Sequence, residues 1–214
     1  MFKHVKLFPV TVMLFLITAM SWPVQATAVA DPSAFVTTLT QSAFATLRDK
    51  HLSEPERFAR FRTLLSQGVD LPRVGRFVLG AHWRRADAAQ QAEYQSLFSN
   101  YIIAAYAGRL KDYTDAKIAV KDATPMDKGE HLVATLITHP KNPEPVHVDW
   151  RLREIDGELR VLDMSIQGIS MALTQRSEFS SIIQQNGGDI NVLLARLRTA
   201  AAPIEAGKQV SITK

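Results

Sequence analysis

Serine, histidine and paired carboxylates are the groups in this chain whose types and spacing bear on chemistry. Ser170 sits in Gly168-Ile169-Ser170-Met171-Ala172, after a strand-like run and before a helix-like one. That placement superficially matches a nucleophile elbow, a sharp turn that exposes a serine. In such a site the histidine follows the serine in the chain, whereas the last histidine here is His147, so the required order is broken. Of the six histidines, His4 lies in the leader, and His51, His82, His131, His139 and His147 lack the close paired spacing of a zinc site. His139 and His147 can approach across a hairpin, as an ordinary surface pair. Asp149 and Asp163 can share a sheet face, where close carboxylates divide acid and base roles. Arg151 and Arg153 stand on that face too, and a solvated ion-pair ladder accounts for all four. No glycine-rich phosphate loop is present. The expectation is a protein that is not an enzyme, with no catalytic residues, no metal ligands and no cofactor.

Composition narrows the setting in which such a chain works. Lys3 and Lys6 precede an apolar run from Leu7 to Met20, and small residues follow at Val24-Gln25-Ala26 and Ala26-Thr27-Ala28. This reads as a signal peptide over residues 1–28, cleaved after Ala26 or Ala28. The run contains Pro9 and falls short of the roughly 20 apolar residues of a membrane span. With no cysteine in its 214 residues, the chain offers no thiol for lipidation or a disulfide, which fits a bacterial periplasm. The formal charge of +4 includes the two leader lysines, and acids and bases are interleaved elsewhere. No basic stripe with interleaved aromatics emerges, so no nucleic acid partner is expected. A weak arginine cluster, Arg84 and Arg85 with Arg73 and Arg76 upstream, reads as solvated helix ends or as a contact for an anionic head group.

The pattern of the mature chain changes once. Asp31-Pro32-Ser33 starts a helix carrying Phe35, Leu39, Ala43, Phe44 and Leu47. Ser53 with Glu56 reads as a capping box, Asp70 opens a shorter helix that ends at Gly80, and Asp87 with Gln90 starts the longest one. That helix bears Tyr94, Leu97, Phe98, Tyr101, Ile102, Ala105 and Tyr106 on a broad apolar face. After Tyr113 alternation takes over. Val146, Val148, Trp150 and Leu152 alternate with His147, Asp149, Arg151 and Arg153, and Asp156-Gly157 is a hairpin signal. The next strand places Leu162, Met164 and Ile166 on one face and Val161, Asp163 and Ser165 on the other. From Gly168 a helix with Ile169, Met171, Leu173, Phe179, Ile182 and Ile183 on its apolar side runs to Asn186-Gly187-Gly188, and Asp189 caps a last helix over Ile190–Arg198. The fold class is α+β, with helices packed on one face of a roughly four-stranded antiparallel sheet. Residues 29–202 form a single domain and 203–214 a flexible tail. Periodicity does not separate core from cavity, so the residues alone leave the function open.

Several segments together resemble a known family. DLPRVGRFVLGAHWR (Asp70 to Arg84), EYQSLFSNYIIAAYAGRL (Glu93 to Leu110), VHVDWRLRE (Val146 to Glu154) and DMSIQGISMALTQRSEFSSIIQQNGGDINVLLARLR (Asp163 to Arg198) look like the MlaC family. Its members, also called toluene-tolerance auxiliary proteins, are periplasmic phospholipid-binding components of an ABC-type lipid transport system. The resemblance spans about Phe35 to Arg198. It implies that the helices and sheet enclose an apolar pocket for the acyl chains of a glycerophospholipid, with the head group at the mouth. Such a pocket is expected near or above about 1,000 Å³, the upper end of ordinary sizes.

Placed on matching segments, the lining is expected at Phe77, Val78, Trp83, Phe98, Tyr101, Ile102 and Tyr106 from the helices. The sheet and the stretch after it add Val148, Trp150, Leu162, Met164, Ile169, Met171, Phe179, Ile182 and Ile183. The implied role is a monomeric periplasmic carrier, with phospholipid as cargo, that shuttles between an inner-membrane ABC complex and an outer-membrane lipoprotein–porin complex to maintain lipid asymmetry. A carrier of hopanoid or other polycyclic lipid and a non-catalytic periplasmic adaptor are the alternatives.

Overall fold

The computed structural model describes residues 31–110, 114–140 and 142–205. The expected signal peptide and residues 206–214 of the expected tail lie outside the described residues. The helices begin where short polar side chains satisfy otherwise orphaned backbone N–H groups. Asp31 accepts from the Ser33 N–H at 2.9 Å, and α1 follows as Pro32–Arg48. Glu56 accepts from the Ser53 N–H at 2.8 Å at the start of α2, Glu54–Gly68. Asp70 opens α3, Leu71–Leu79, which stops at Gly80 in a positive-φ conformation (59°). A 3-10 turn over Gly80–Arg84 leads to Asp87 and Gln90, which bond reciprocally at 2.8 and 3.1 Å ahead of α4, Ala88–Leu110.

Five antiparallel strands follow as a meander: β1 Lys117–Pro125, β2 Glu130–His139, β3 Asn142–Ile155, β4 Glu158–Ile166 and β5 Ile169–Ser170. The short fifth strand is one more than alternation predicts. Gln167 and Gly168, both at positive φ (51° and 78°), fold the chain straight back so that Ile169 pairs with Ile166. Ile169 therefore lies outside the helix that the apolar pattern assigns it to. Helix α5 starts only at Met171 and runs to Gln185, and α6 runs Ile190–Glu205, beyond Arg198.

A second departure comes from a bulge. Arg151 pairs with Asp163 but Leu152 pairs with Val161, so Leu162 is an extra residue on β4. Alternation restarts there. Val161 turns inward to 5% exposure instead of to the polar face that strict alternation gives it. The register also keeps His139 and His147 apart, opposite Asn142 and Leu136 respectively.

Among the described residues the core falls into three clusters, a small one of Ala43, Phe61, Leu71 and Ile103 and two larger ones. Between helices, Tyr94 and Phe98 of α4 stack at 5.6 Å, and Phe179 of α5 meets both edge-on. Val78, Ile183, Leu193, Leu194 and Leu197 close around them. Tyr94 is wholly buried and satisfies its hydroxyl by donating to the Gly75 carbonyl at 3.1 Å; burial pushes its phenol pKa far up. Against the sheet, Val36 and Leu39 of α1 pack on Val133, Leu152, Leu159 and Val161. At about 1.5–3 kcal/mol per large side chain, each body is a substantial source of stability.

The uncovered face of the sheet carries Glu130, which is 5% exposed and ion-paired to both Arg151 and Arg153. Burial raises its pKa, but the two guanidiniums together outweigh this and hold it below the usual carboxylate value. A depressed folded pKa contributes stability above the unfolded carboxylate pKa of about 4.3, which is lost as pH falls through the folded value. Glu130→Gln is accordingly expected to be less stable than the parent in urea melts at neutral pH, and the gap is expected to close as the pH is taken well below 4.3.

Candidate functional site

A cavity of about 540 Å³ lies between the inner sheet face and the helices. It lies within the ordinary range of about 300–1,000 Å³ and below the size that the resemblance implies. Packing of Val36 and Leu39 onto Val161 closes its floor. Leu39, Thr40, Ala43 and Phe44 of α1 form one wall, and Leu71, Val74 and Val78 of α3 another. Phe98, Ile102 and Tyr106, on successive turns of α4, supply a third. The sheet presents Val146, Val148 and Trp150 of β3 with Met164 and Ile166 of β4, the residues that its pleat turns inward. Trp150 can offer an apolar face because its indole N–H donates to the Thr135 hydroxyl at 3.1 Å, which in turn donates to the Val148 carbonyl. The Thr40 hydroxyl is buried with no hydrogen-bond partner among the described residues.

Polar lining is confined to few residues: Thr40 in the wall, and Arg109, His139, Glu144, Asp163 and Gln175. The end of α4, the end of β2, the start of β3 and the start of α5 supply Arg109, His139, Glu144 and Gln175, and strand register brings these termini to one end of the cavity. We take that end, where most of the polar lining gathers, as the mouth. Burial pushes the Tyr106 phenol up, with Arg109 opposing and Asp163 adding to it, so the hydroxyl stays neutral and able to donate.

Of the residues expected in the lining, Val78, Phe98, Ile102, Tyr106, Val148, Trp150, Leu162, Met164 and Met171 do border the cavity. Phe179 and Ile183 lie instead in the interhelical core, with Trp83, Tyr101 and Ile182 packed against it. Phe77 and Ile169 face outward at 43% and 60% exposure. The wall from α1 and the positions Val74, Ile137, Val146 and Ile166 were not among those expected. Val146 and Ile166 continue alternations that the sequence displays. The α1 residues give no such signal, since their spacing suits a core equally well.

The candidate catalytic groups have structural duties here. Asp163 accepts from the Ser170 hydroxyl at 2.5 Å and from the Ala172 N–H at 3.0 Å, while Ser170 accepts from the Leu173 N–H at 3.1 Å. Both side chains thus anchor the start of α5. Asp149 lies 3.6 Å from His147 on the uncovered face. Among the described residues no group of three or more metal-binding side chains comes together, and no helix is long and apolar enough to cross a membrane. Asp163→Asn is expected to lower unfolding stability by about 1 kcal/mol in denaturant titrations, by removing one acceptor oxygen from two part-buried hydrogen bonds.

Comparison with known proteins agrees with this geometry. The family model described as MlaC protein matches residues 37–199. The intermembrane phospholipid transport system binding protein MlaC of Haemophilus influenzae is 24% identical over 202 residues, covering 90% of this chain and 92% of that one. The toluene tolerance protein ttg2D of Pseudomonas putida is 23% identical over 146 residues, 67% of each. A phospholipid-binding protein from Ralstonia solanacearum, solved in complex with a phospholipid, superposes with a TM-score of 0.68 at 26% identity, covering 82% of this chain and 99% of that one. A match over most of the sequence, joined to the same mixed helix and sheet fold, shows that this chain belongs to the MlaC family.

Proposed function

We propose that this protein is a periplasmic carrier that holds the acyl chains of a glycerophospholipid in the cavity and leaves the head group at the mouth. The observation that carries the reading is the cavity itself: about 540 Å³, walled by aliphatic and aromatic side chains, in a fold that in the R. solanacearum relative is seen with a phospholipid. Moving each methylene from lipid to water costs about 0.8 kcal/mol, so two chains would cost on the order of 20 kcal/mol unsheltered. A dry wall removes most of that cost. Met164 and Met171 in the lining suit chains of varying shape. Arg109 at the mouth supplies a cation for the phosphate.

Net affinity relative to a bilayer need only be modest, because one apolar environment replaces another. Direction then comes from docking partners, an inner-membrane ABC-type complex and an outer-membrane lipoprotein–porin complex, between which the carrier shuttles to preserve lipid asymmetry. The family name of the H. influenzae relative supports transport between membranes.

Filling the cavity tests the reading. Ala43 and Val146 border it from opposite walls. Ala43→Trp and Val146→Trp, each verified as folded by circular dichroism, are expected to reduce uptake of labelled phospholipid from vesicles by about ten-fold or more, as the occupiable volume is removed. Folded variants that load as well as the parent contradict the assignment.

A further inference from the structure

Outside the cavity, on α3, β5 and α5, is an exposed apolar lip that the carrier reading leaves unused. Three large apolar side chains stand open: Phe77 on α3 (43% exposed), Ile169 on β5 (60%) and Leu173 on α5 (55%). Leu173 and Arg176 lie one turn apart on α5, and the Arg176 guanidinium rests over the Phe77 ring at 5.2 Å. Helices α3 and α5 therefore hold these groups side by side. Met171 and Gln175, from the same first turns of α5, line the cavity, so lip and mouth share one helix.

The α3 side of the lip is basic, whereas α5 adds the exposed Glu178 two residues beyond Arg176. From Asp70 to Asp87 the chain has no acid, and Arg73, Arg76, Arg84 and Arg85 all fall between them, each exposed. Arg73 is ion-paired to Asp70, and Arg76 lies over Trp83 at 5.3 Å. Singly exposed apolar residues are ordinary, but three of them beside a run of arginines at the edge of an apolar cavity form a specific combination.

We propose that this lip seats against the head-group layer of an anionic phospholipid bilayer, with Phe77, Ile169 and Leu173 entering the interface and the arginines meeting phosphates. Exposure favours a bilayer over a protein partner. Protein hot spots sit in well-packed pockets, whereas these apolar side chains stand exposed on two helices and a short strand. Exposed aliphatic and aromatic groups with cations around them match a soft, negatively charged interface. Seated this way, the mouth opens onto the bilayer, and a chain passes into the cavity without crossing bulk water. The purpose given to the lip rests on the carrier reading, but the contact is measured independently of it.

The test is sedimentation of the mature protein with sucrose-loaded vesicles of phosphatidylethanolamine alone, and with phosphatidylglycerol mixed in at about 3:1. The protein is expected to sediment with the mixed vesicles, less so as salt is raised. The pairs Arg76→Glu with Arg176→Glu, and Ile169→Asp with Leu173→Asp, are each expected to lower that partition by about ten-fold or more. Mass spectrometry is expected to show that their bound lipid is kept. A parent protein that ignores both vesicles, or variants that sediment as it does, overturns the proposal. Loss of binding to the purified inner-membrane complex in these variants, with no vesicle binding by the parent, assigns the lip to a protein interface and overturns it equally. Vesicle binding by a parent that neither carries nor accepts phospholipid upholds the lip and removes the carrier reading.

Discussion

Helix α4 turns its aromatic face toward other helices, and the rest of the molecule is arranged around that choice. Tyr94 and Phe98 are wholly buried against α3, α5 and α6, which fixes a helical body with its own core. The sheet then has an inner apolar face against which α1 packs Val36 and Leu39. Farther along α4, Ile102 and Tyr106 face the sheet across a gap that neither body fills. A close-packed interior normally tolerates few voids. This one persists because each wall is already held rigid by packing behind it.

The same division explains where polarity is tolerated. Several buried polar groups away from the cavity are matched: Tyr94 with Gly75, Thr135 with Trp150 and Val148, and, on the uncovered sheet face, Glu130 with its two arginines. Of the charged groups that border the cavity, Arg109 and Glu144 lie near the end of α4 and the start of β3, while Asp163 stands within β4. An amphiphile with one apolar end and one charged end fits that gradient, and an entirely polar ligand does not.

Local features of the fold were legible in the sequence because they depend on neighbouring residues. The caps at Asp31, Ser53 with Glu56, Asp70 and Asp87 with Gln90 need only a side chain and the next few N–H groups. The stop at Asn186–Gly188 and the Asp156–Gly157 turn rest on positive φ at glycines that tolerate it. Features set by pairing partners were not legible. The bulge at Leu162 exists only relative to β3, and it reverses the side that strict alternation gives Val161. The lining was half legible for a similar reason. Phe98 on α4 and Phe179 on α5 look alike as apolar residues at helical spacing, yet only Phe98 reaches the cavity as well as the core. Which side of a helix meets a void is decided by elements far away in the chain, and only the likeness to a family pointed to a void at all.

Native mass spectrometry of the mature protein purified from its own cells, followed by denaturing extraction and identification of what was bound, tests the central claim most directly. A bound mass that resolves into glycerophospholipids with mixed acyl chains is the result this account predicts. A bound polycyclic lipid, or a ligand-free mass from protein that also takes up no phospholipid from vesicles, contradicts it.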